Sequence, residues 1–322
     1  MIPLGKRGLG GGTIKESNQK RQETRVKLEE IRKIAVIGGG AMGSQIASVF
    51  SRVGGVEVNL ADVSDDLVKK NLHSIQEGLE RFFVAKGKMT EEEKEAIVGR
   101  IKGFTGIGEA AGDVDFVIEA VPEVMSLKKK VFSELDAATP TAVILASNTS
   151  MLNITEIAAI TKRPEKVIGM HFFNPVAIMK LVEVVKGAKT SEETAAVVVD
   201  LSRKLGKEPV VCRDTSYGFL ANRAYEALRL EAVQMVWEKV ASPEDVDKSL
   251  RLGYNLPVGP LEVGDALGSW KRRAEMEQDR IHELGEQGRL HPLIKAMVRA
   301  GYYGGPGNKG IYDFWKEVMS KW

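Results

Sequence analysis

The chain has 322 residues, of which 43% are hydrophobic and 28% are charged, and its formal net charge is +2. This length favours two domains, and the composition is typical of a globular protein. The near-neutral charge argues against a nucleic-acid partner or an anionic membrane surface. No apolar run approaches the ~18 residues of a membrane span. The single cysteine, Cys212, excludes an intrachain disulfide, fits a cytoplasmic location, and is predicted to be an inert thiol in an apolar strand.

Residues 1–30 are predicted to be an N-terminal extension, helical from Gln22 to Ile31. The first twelve residues are basic and free of acids, as in a transit peptide, but they contain three consecutive glycines and are soon followed by acidic residues. They also lack the apolar core of a signal peptide. The sequence therefore favours neither targeting signal.

The chain then opens with a strand, a glycine-rich loop and a helix. KIAVI (33–37) predicts a short buried strand, and apolar residues at spacings of three and four predict the helix that follows it. VEVNLAD (56–62) predicts a second strand. This order indicates a βαβ unit.

The loop GGGAMG has the spacing of a dinucleotide-binding turn. Gly38 would make the tight turn, Gly40 would let the backbone approach a pyrophosphate, and Gly43 would let the helix pack against the strand. Asp62 ends the second strand, where a carboxylate binds the adenosine ribose 2′-hydroxyl and repels a 2′-phosphate. The sequence therefore predicts NAD as the cofactor, held by a loop that also includes Ala41 and Met42.

The remaining elements alternate between helices and strands. A helical hairpin is predicted from Asp65 to Lys86 and from a capping box at Thr90 to about Val98. Apolar runs predict further strands at 115–120, 142–146, 166–170, 181–185 and 209–212. Such runs indicate a mainly parallel sheet that is buried on both faces. After a boundary near Asp214 the pattern becomes helical, beginning with a long helix at 217–240. The predicted fold is thus a Rossmann-type, doubly wound α/β domain (31–213) with a helical-hairpin excursion, followed by an all-α domain (214–322).

Three polar residues follow the glycine loop at the predicted sheet edge. Ser150 and His171 each come just after an apolar strand, and Glu183 lies within another. Ligand sites in open α/β sheets lie at the carboxyl ends of the strands. Histidine exchanges protons near neutral pH, and a carboxylate can orient it. These residues predict hydride transfer coupled to proton transfer, with no metal.

From Lys33 to Phe314 the chain resembles the L-3-hydroxyacyl-CoA dehydrogenase family, short-chain 3-hydroxybutyryl-CoA type. The resemblance rests on GGGAMGS, EAVPEVMSLK, SNTS, HFFNP with MKLVEVV, LGKEPVVCRDT, GFLANR and LPVGPLEVGD. It implies NAD-dependent, reversible oxidation of an L-3-hydroxyacyl-CoA in fatty-acid metabolism. It also implies a homodimer that forms through the C-terminal domain.

The resemblance also implies roles for particular residues. His171 would be the catalytic acid/base and Glu183 its orienting partner, while Ser150 and Asn222 would bind the substrate near C3. Contacts along the NAD would come from Glu123, Lys128, Asn148 and Ser150. Ser216 and Tyr217 stand where the family usually has one proline, which alters the entry to the helix of Asn222. Candidates for the CoA phosphates are Lys69, Lys70, Lys86 and Lys88, with no preference among them.

Two other functions fit the same sequence features. The chain could oxidise a hydroxy acid that carries no CoA, with the same chemistry. It could instead be a non-catalytic NAD-binding protein, although the presence of Ser150, His171, Glu183 and Asn222 together argues against this.

Overall fold

The computed structural model describes residues 28–215 and 217–321, which form two compact units, one ending at Phe219 and the other beginning at Leu220. Ser216 and almost all of the predicted N-terminal extension lie outside the described residues. Of the predicted helix at Gln22–Ile31, the structure describes only a 3₁₀ turn at Leu28–Glu30 and Ile31.

The first unit is built on one eight-stranded sheet with the order β3-β2-β1-β4-β5-β6-β7-β8. All neighbours are parallel except β6 and β7, which are antiparallel. The strands are β1 (Lys33–Ile37), β2 (Glu57–Ala61), β3 (Ile101–Phe104), β4 (Phe116–Glu119), β5 (Ile144–Ser147), β6 (Val167–Phe172), β7 (Leu181–Lys186) and β8 (Glu208–Arg213). From β1 the chain adds β2 and β3 on one side of the sheet and then β4 to β8 on the other side. Open sheets of this kind bind ligands at this switch in strand order, between β1 and β4.

Helices cover both faces of this sheet. They are α1 (Ala41–Val49), α2 (Asp65–Leu79), α3 (Glu91–Gly99), α4 (Ile107–Ala111), α5 (Met125–Ala138), α6 (Ile154–Ala158) and α7 (Glu192–Lys204). Short π-helical turns extend α1 through Phe50–Gly54 and α2 through Glu80–Val84. The predicted capping box at Thr90 begins α3, where the Thr90 hydroxyl accepts from Glu93 N and the Glu93 carboxylate accepts from Thr90 N.

Successive strand residues pack into two hydrophobic cores, one on each face of the sheet. In β1, Ile34 and Val36 belong to the core that also contains Phe50, whereas Ala35 and Ile37 belong to the core that contains Phe132. This alternation follows from the two-residue period of a strand. Because both faces are buried at the central strands, those strands read as continuous apolar runs in the sequence, whereas the edge strand β8 is largely exposed.

The second unit is entirely helical within its described residues. Its helices are α8 (Ala221–Trp237), α9 (Pro243–Tyr254), α10 (Pro260–Ala266), α11 (Ser269–Glu275), α12 (Glu277–Leu284), α13 (Pro292–Arg299) and α14 (Ile311–Glu317). They enclose a separate core around Trp270, which is fully buried. The Trp270 indole N–H donates to the Asp265 carboxylate at 2.5 Å, so its polar atom is paired.

The predicted fold class is confirmed, while several element bounds differ from the prediction. Strand β3 was not predicted, because IKGF buries fully only Ile101 and lacks a long apolar run. Strand β6 runs on to Phe172, so His171 lies within the strand rather than after it. Helix α8 begins at Ala221 rather than Tyr217, since Gly218 and Phe219 adopt positive φ angles that a helix cannot contain.

Candidate active site

The glycine loop lies at the carboxyl end of β1 and fits a dinucleotide. Gly38 has a φ of +94°, and a Cβ there would lie 2.9 Å from backbone atoms of Ala120. A Cβ on Gly43 would lie 1.8 Å from the Gly38 carbonyl oxygen, which explains the close approach of α1 to the loop. A Cβ on Gly40, by contrast, would meet no atom of the described residues within 4 Å, so this face of the loop is open among them. Helix α1 therefore presents its first N–H groups, from Ala41 and Met42 onward, to an open site suited to phosphate.

Asp62 lies beside this loop, one residue beyond β2. Its Oδ2 accepts from Gly39 N at 3.0 Å and from Asn71 Nδ2 at 2.7 Å, and its Oδ1 accepts from Val63 N at 2.8 Å. The carboxylate is only partly buried. It is thus held in one orientation at the open edge of the glycine loop, where the sequence predicted the ribose contact.

His171 and Glu183 form a buried pair at the sheet edge. They face each other directly in the antiparallel register of β6 and β7. His171 Nδ1 lies 2.8 Å from Glu183 Oε2, and the residues are 5% and 0% exposed. Because a carboxylate only accepts hydrogen bonds, Nδ1 carries the proton and Nε2 is the atom left to exchange one.

Two aromatic rings pack against the imidazole of His171. The Phe173 centroid lies 4.4 Å from the imidazole centroid, and that of Phe219 lies 6.1 Å away. Such apolar walls strengthen the electrostatic interaction between an imidazolium and its carboxylate.

Ser150 lies beyond the end of β5 and is held by Glu123. The Ser150 N–H donates to Glu123 Oε1 at 2.8 Å, and its hydroxyl lies 3.2 Å from the same oxygen. The Thr149 hydroxyl and the Met151 N–H also donate to this oxygen, at 2.6 Å and 3.1 Å. Glu123 therefore fixes the backbone of the whole 149–151 turn.

Lys128 connects Glu123 to a second, fully buried carboxylate. Its Nζ lies 2.7 Å from Glu119 Oε1, 3.3 Å from Glu123 Oε2 and 3.1 Å from the Val121 carbonyl oxygen. The lysine side chain is 1% exposed. Burial raises the pKa of Glu119, although Lys128 acts against this. Burial would also raise the pKa of Glu123, but the charge of Lys128 and the donors of the 149–151 turn together lower it.

Asn148 connects this turn to the strand of His171. Its N–H donates to the Glu119 carbonyl at 2.7 Å, and its Oδ1 accepts from Phe172 N at 2.9 Å. The end of β6 is thereby fastened to the end of β5, which holds Ser150 and His171 at the same edge of the sheet.

The first unit thus contains all the predicted site residues except Asn222. That residue lies in the first turn of α8, in the second unit, and its approach to the other residues stays a prediction. Two residues to which the sequence analysis gave no role contact predicted site residues. Asn71 contacts Asp62, and Glu119 contacts Lys128. Among the described residues, no group of three His, Cys, Asp or Glu side chains could hold a metal ion.

The sequence matches two domain models of one family over nearly all the described residues. The 3-hydroxyacyl-CoA dehydrogenase NAD binding domain matches residues 33–215, and the C-terminal domain of that family matches residues 218–314. The chain belongs to the 3-hydroxyacyl-CoA dehydrogenase family. The predicted resemblance and the NAD cofactor are therefore confirmed, and the protein is an NAD-dependent dehydrogenase.

Individual members of the family match over most of their length. The chain is 43% identical over 287 residues to a probable 3-hydroxybutyryl-CoA dehydrogenase of Bacillus subtilis, covering 88% of this chain and 98% of the relative. It is 36% identical to the human mitochondrial hydroxyacyl-coenzyme A dehydrogenase, covering 88% and 91%. The structure of (S)-3-hydroxybutyryl-CoA dehydrogenase from Ralstonia eutropha matches with a TM-score of 0.81 and 38% identity, covering 88% and 98%.

No helix within the described part of the chain has both the length and the apolar character needed to cross a membrane. The four lysines considered for CoA phosphates, Lys69, Lys70, Lys86 and Lys88, are all exposed.

Proposed function

We propose that this enzyme catalyses the reversible, NAD-dependent oxidation of an L-3-hydroxyacyl-CoA to the 3-oxoacyl-CoA, as a step of fatty-acid or acyl-CoA metabolism. The observation that carries the proposal is the buried His171–Glu183 pair at the carboxyl edge of the NAD-domain sheet. The names of the relatives, which are 3-hydroxybutyryl-CoA and hydroxyacyl-CoA dehydrogenases, support the substrate class.

Bound NAD would supply the acceptor for the hydride of C3 of the substrate. His171 Nε2 takes the proton of the 3-hydroxyl in that step, because Nδ1 already donates to Glu183. Glu183 keeps the imidazole in this tautomer and stabilises the imidazolium that forms, as the orienting carboxylate of a catalytic triad does. In the reverse direction, the imidazolium returns the proton to the carbonyl oxygen as the hydride arrives.

The other site residues bind and orient the reactants in this proposal. The Ser150 hydroxyl, held by Glu123, contacts the substrate near C3 and also the cofactor, and Asn222 contributes a second contact near C3. Contacts along the NAD come from Glu123, Lys128 and Asn148, as the family resemblance implies. Asp62 binds the adenosine ribose, while the pyrophosphate lies on the glycine loop, which comprises Gly38, Gly40, Ala41, Met42 and Gly43.

Steady-state NADH oxidation with two kinds of substrate tests this proposal. Turnover of acetoacetyl-CoA is expected. Turnover of free 3-oxo acids alone would instead support the dehydrogenase of a hydroxy acid without CoA. Tight NADH binding with no turnover of either would support a non-catalytic protein. A panel of 3-oxoacyl-CoA thioesters of increasing chain length would then define the acyl specificity.

We also propose that residues 31–213 hold the cofactor, while residues 214–322 complete the substrate site and form a homodimer. Large apolar side chains exposed on the second unit support the dimer. Tyr254 is 79% exposed, Leu252 78% and Leu267 70%. Light scattering during size-exclusion chromatography would give twice the chain mass.

The single half-buried cysteine and the bacterial relatives support a cytoplasmic location.

A further inference from the structure

Asn71 lies outside the glycine loop, yet it contacts the carboxylate proposed to bind the ribose. It lies on α2, the first helix of the helical hairpin, and is 7% exposed. Its Nδ2 lies 2.7 Å from Asp62 Oδ2. A carboxylate accepts hydrogen bonds and cannot donate them, so the amide must direct its NH₂ group towards Asp62.

The hydrogen bonds around Asp62 leave a defined acceptor position for a ligand. A carboxylate has about four lone-pair sites, two on each oxygen. Oδ2 uses both of its sites, for Gly39 N and Asn71 Nδ2, whereas Oδ1 accepts only from Val63 N among the residues that the structure describes. One lone pair of Oδ1 is therefore available for a hydroxyl donor. Asn71 supplies the only side-chain donor to this carboxylate among the described residues, and together with the N–H groups of Gly39 and Val63 it fixes the rotation that leaves Oδ1 available.

Asn71 also contacts the glycine loop itself. A Cβ on Gly39 would lie 2.2 Å from Asn71 Nδ2 and 2.8 Å from its Cγ. The side chain thus fills the space above Gly39, and the amide is held by packing as well as by its hydrogen bond. A buried amide in this position connects the helical hairpin to Asp62, the proposed ribose contact, and to the glycine loop, where the pyrophosphate is proposed to lie.

We propose that Asn71 is a positioning residue that determines the preference for NAD over NADP, by holding Asp62 in the orientation that accepts the ribose 2′-hydroxyl. This inference rests on the proposed contact between Asp62 and the ribose. Loss of Asn71 weakens NADH binding, because the acceptor is no longer held in place. NADPH has no 2′-hydroxyl to donate, so its affinity changes less. The ratio of the NADPH Kd to the NADH Kd therefore becomes smaller.

Fluorescence titration of the full chain with NADH and NADPH tests the proposal. The variants are Asn71→Leu, which removes the donor at similar volume, and Asn71→Asp, which keeps the shape but replaces the donor with an acceptor. A hydrogen bond to a charged group is worth enough that each substitution should raise the NADH Kd about 10-fold. Asn71→Leu should leave the NADPH Kd within about 3-fold of the wild-type value. The 2′-phosphate of NADPH is repelled by the Asp62 carboxylate both in the wild type and in the variant.

The matched control is Gln76→Leu, which removes an exposed amide from the same helix and should leave both affinities unchanged. Asp62→Ala and the double variant Asp62→Ala/Asn71→Leu complete a double-mutant cycle. In the absence of Asp62, the Asn71 substitution should have little further effect on NADH binding, because the two side chains act as one unit. Circular dichroism would show that each variant is folded, and Asn71→Asp serves if the leucine variant does not fold.

The possible results separate this inference from the proposed function. If Asp62→Ala weakens NADH binding while both Asn71 variants bind normally, the inference is overturned and the Asp62 contact stands. The inference would also be overturned if Gln76→Leu reduced NADH affinity as much as Asn71→Leu does. The same holds if the effects of Asp62→Ala and Asn71→Leu on NADH affinity were additive in the double variant. Because titration requires no turnover, a failure of acetoacetyl-CoA to react would refute the proposed substrate and leave this result intact.

Discussion

Replacing Glu183 by Gln removes the negative charge beside His171 and keeps the size of the side chain. The two side chains are 2.8 Å apart and almost fully buried. At an effective dielectric constant of about 20, two unit charges separated by this distance interact by about 6 kcal/mol, which is an upper limit for the lost stabilisation of the imidazolium. Hydrogen bonds to charged groups contribute about 1.5–3 kcal/mol to stability, which sets the lower range. We therefore expect kcat to fall by at least about 10-fold and by no more than about 10⁴-fold.

The assay is NADH-linked turnover across a range of pH, with NADH affinity measured separately. In the oxidative direction kcat/KM should fall in the Gln variant, because the imidazolium that forms has lost its carboxylate partner. NADH affinity should stay unchanged. The control is Glu192→Gln, which neutralises an exposed carboxylate paired with Lys186. Turnover within about 3-fold of the wild type, together with an unchanged pH profile, would show that the pair is not catalytic.

Three further predictions follow from the same geometry. His171→Gln should keep NADH affinity and lose about 10²- to 10⁴-fold in kcat; a near-normal kcat in steady-state assays would contradict its role. Burial raises the pKa of the Cys212 thiol to about 11, so its alkylation by iodoacetamide at about pH 8 should be about 10²-fold slower in the native than in the unfolded protein; equal rates would contradict this. Gly43→Ala should abolish NADH binding in titrations, because the new Cβ would lie 1.8 Å from the Gly38 carbonyl oxygen. Gly78→Ala, whose Cβ would meet no described atom within 4 Å, should stabilise the fold by about 0.5–1 kcal/mol in urea unfolding. NADH affinities and unfolding free energies that are the same in the two variants would contradict this.

The sequence alone was sufficient for the fold class and the cofactor. Both rest on local physics: apolar runs that need burial on two faces, and glycines that permit a tight turn and close packing. Gly38 and Gly43 show this directly, since a Cβ on either would meet backbone atoms within 3 Å. Element ends were less predictable. The helix of Asn222 begins late because Gly218 and Phe219 adopt positive φ angles, which no spacing rule reveals.

The candidate site was predictable only in part. His171, Glu183 and Ser150 follow or lie within apolar runs, so their strands could be recognised and their edge of the sheet predicted. The contribution of Asn71 could not be recognised, because it lies nine residues beyond Asp62 on an amphipathic helix with no motif around it. Whether the residue contacts solvent or a carboxylate depends on how that helix packs against the glycine loop.

The sequence by itself therefore determined the sheet, the helices, the glycine loop and the types of residue available for chemistry, because these depend on interactions between near neighbours in the chain. The tertiary structure decided which of those residues meet. His171 and Glu183, twelve residues apart, become direct cross-strand partners only because β6 and β7 pair antiparallel in one register. A shift of one residue would turn Glu183 to the opposite face, since side chains alternate along a strand. Long-range strand register, which no local pattern encodes, is what brings this His and this Glu together as the hydrogen-bonded pair that we propose transfers the proton.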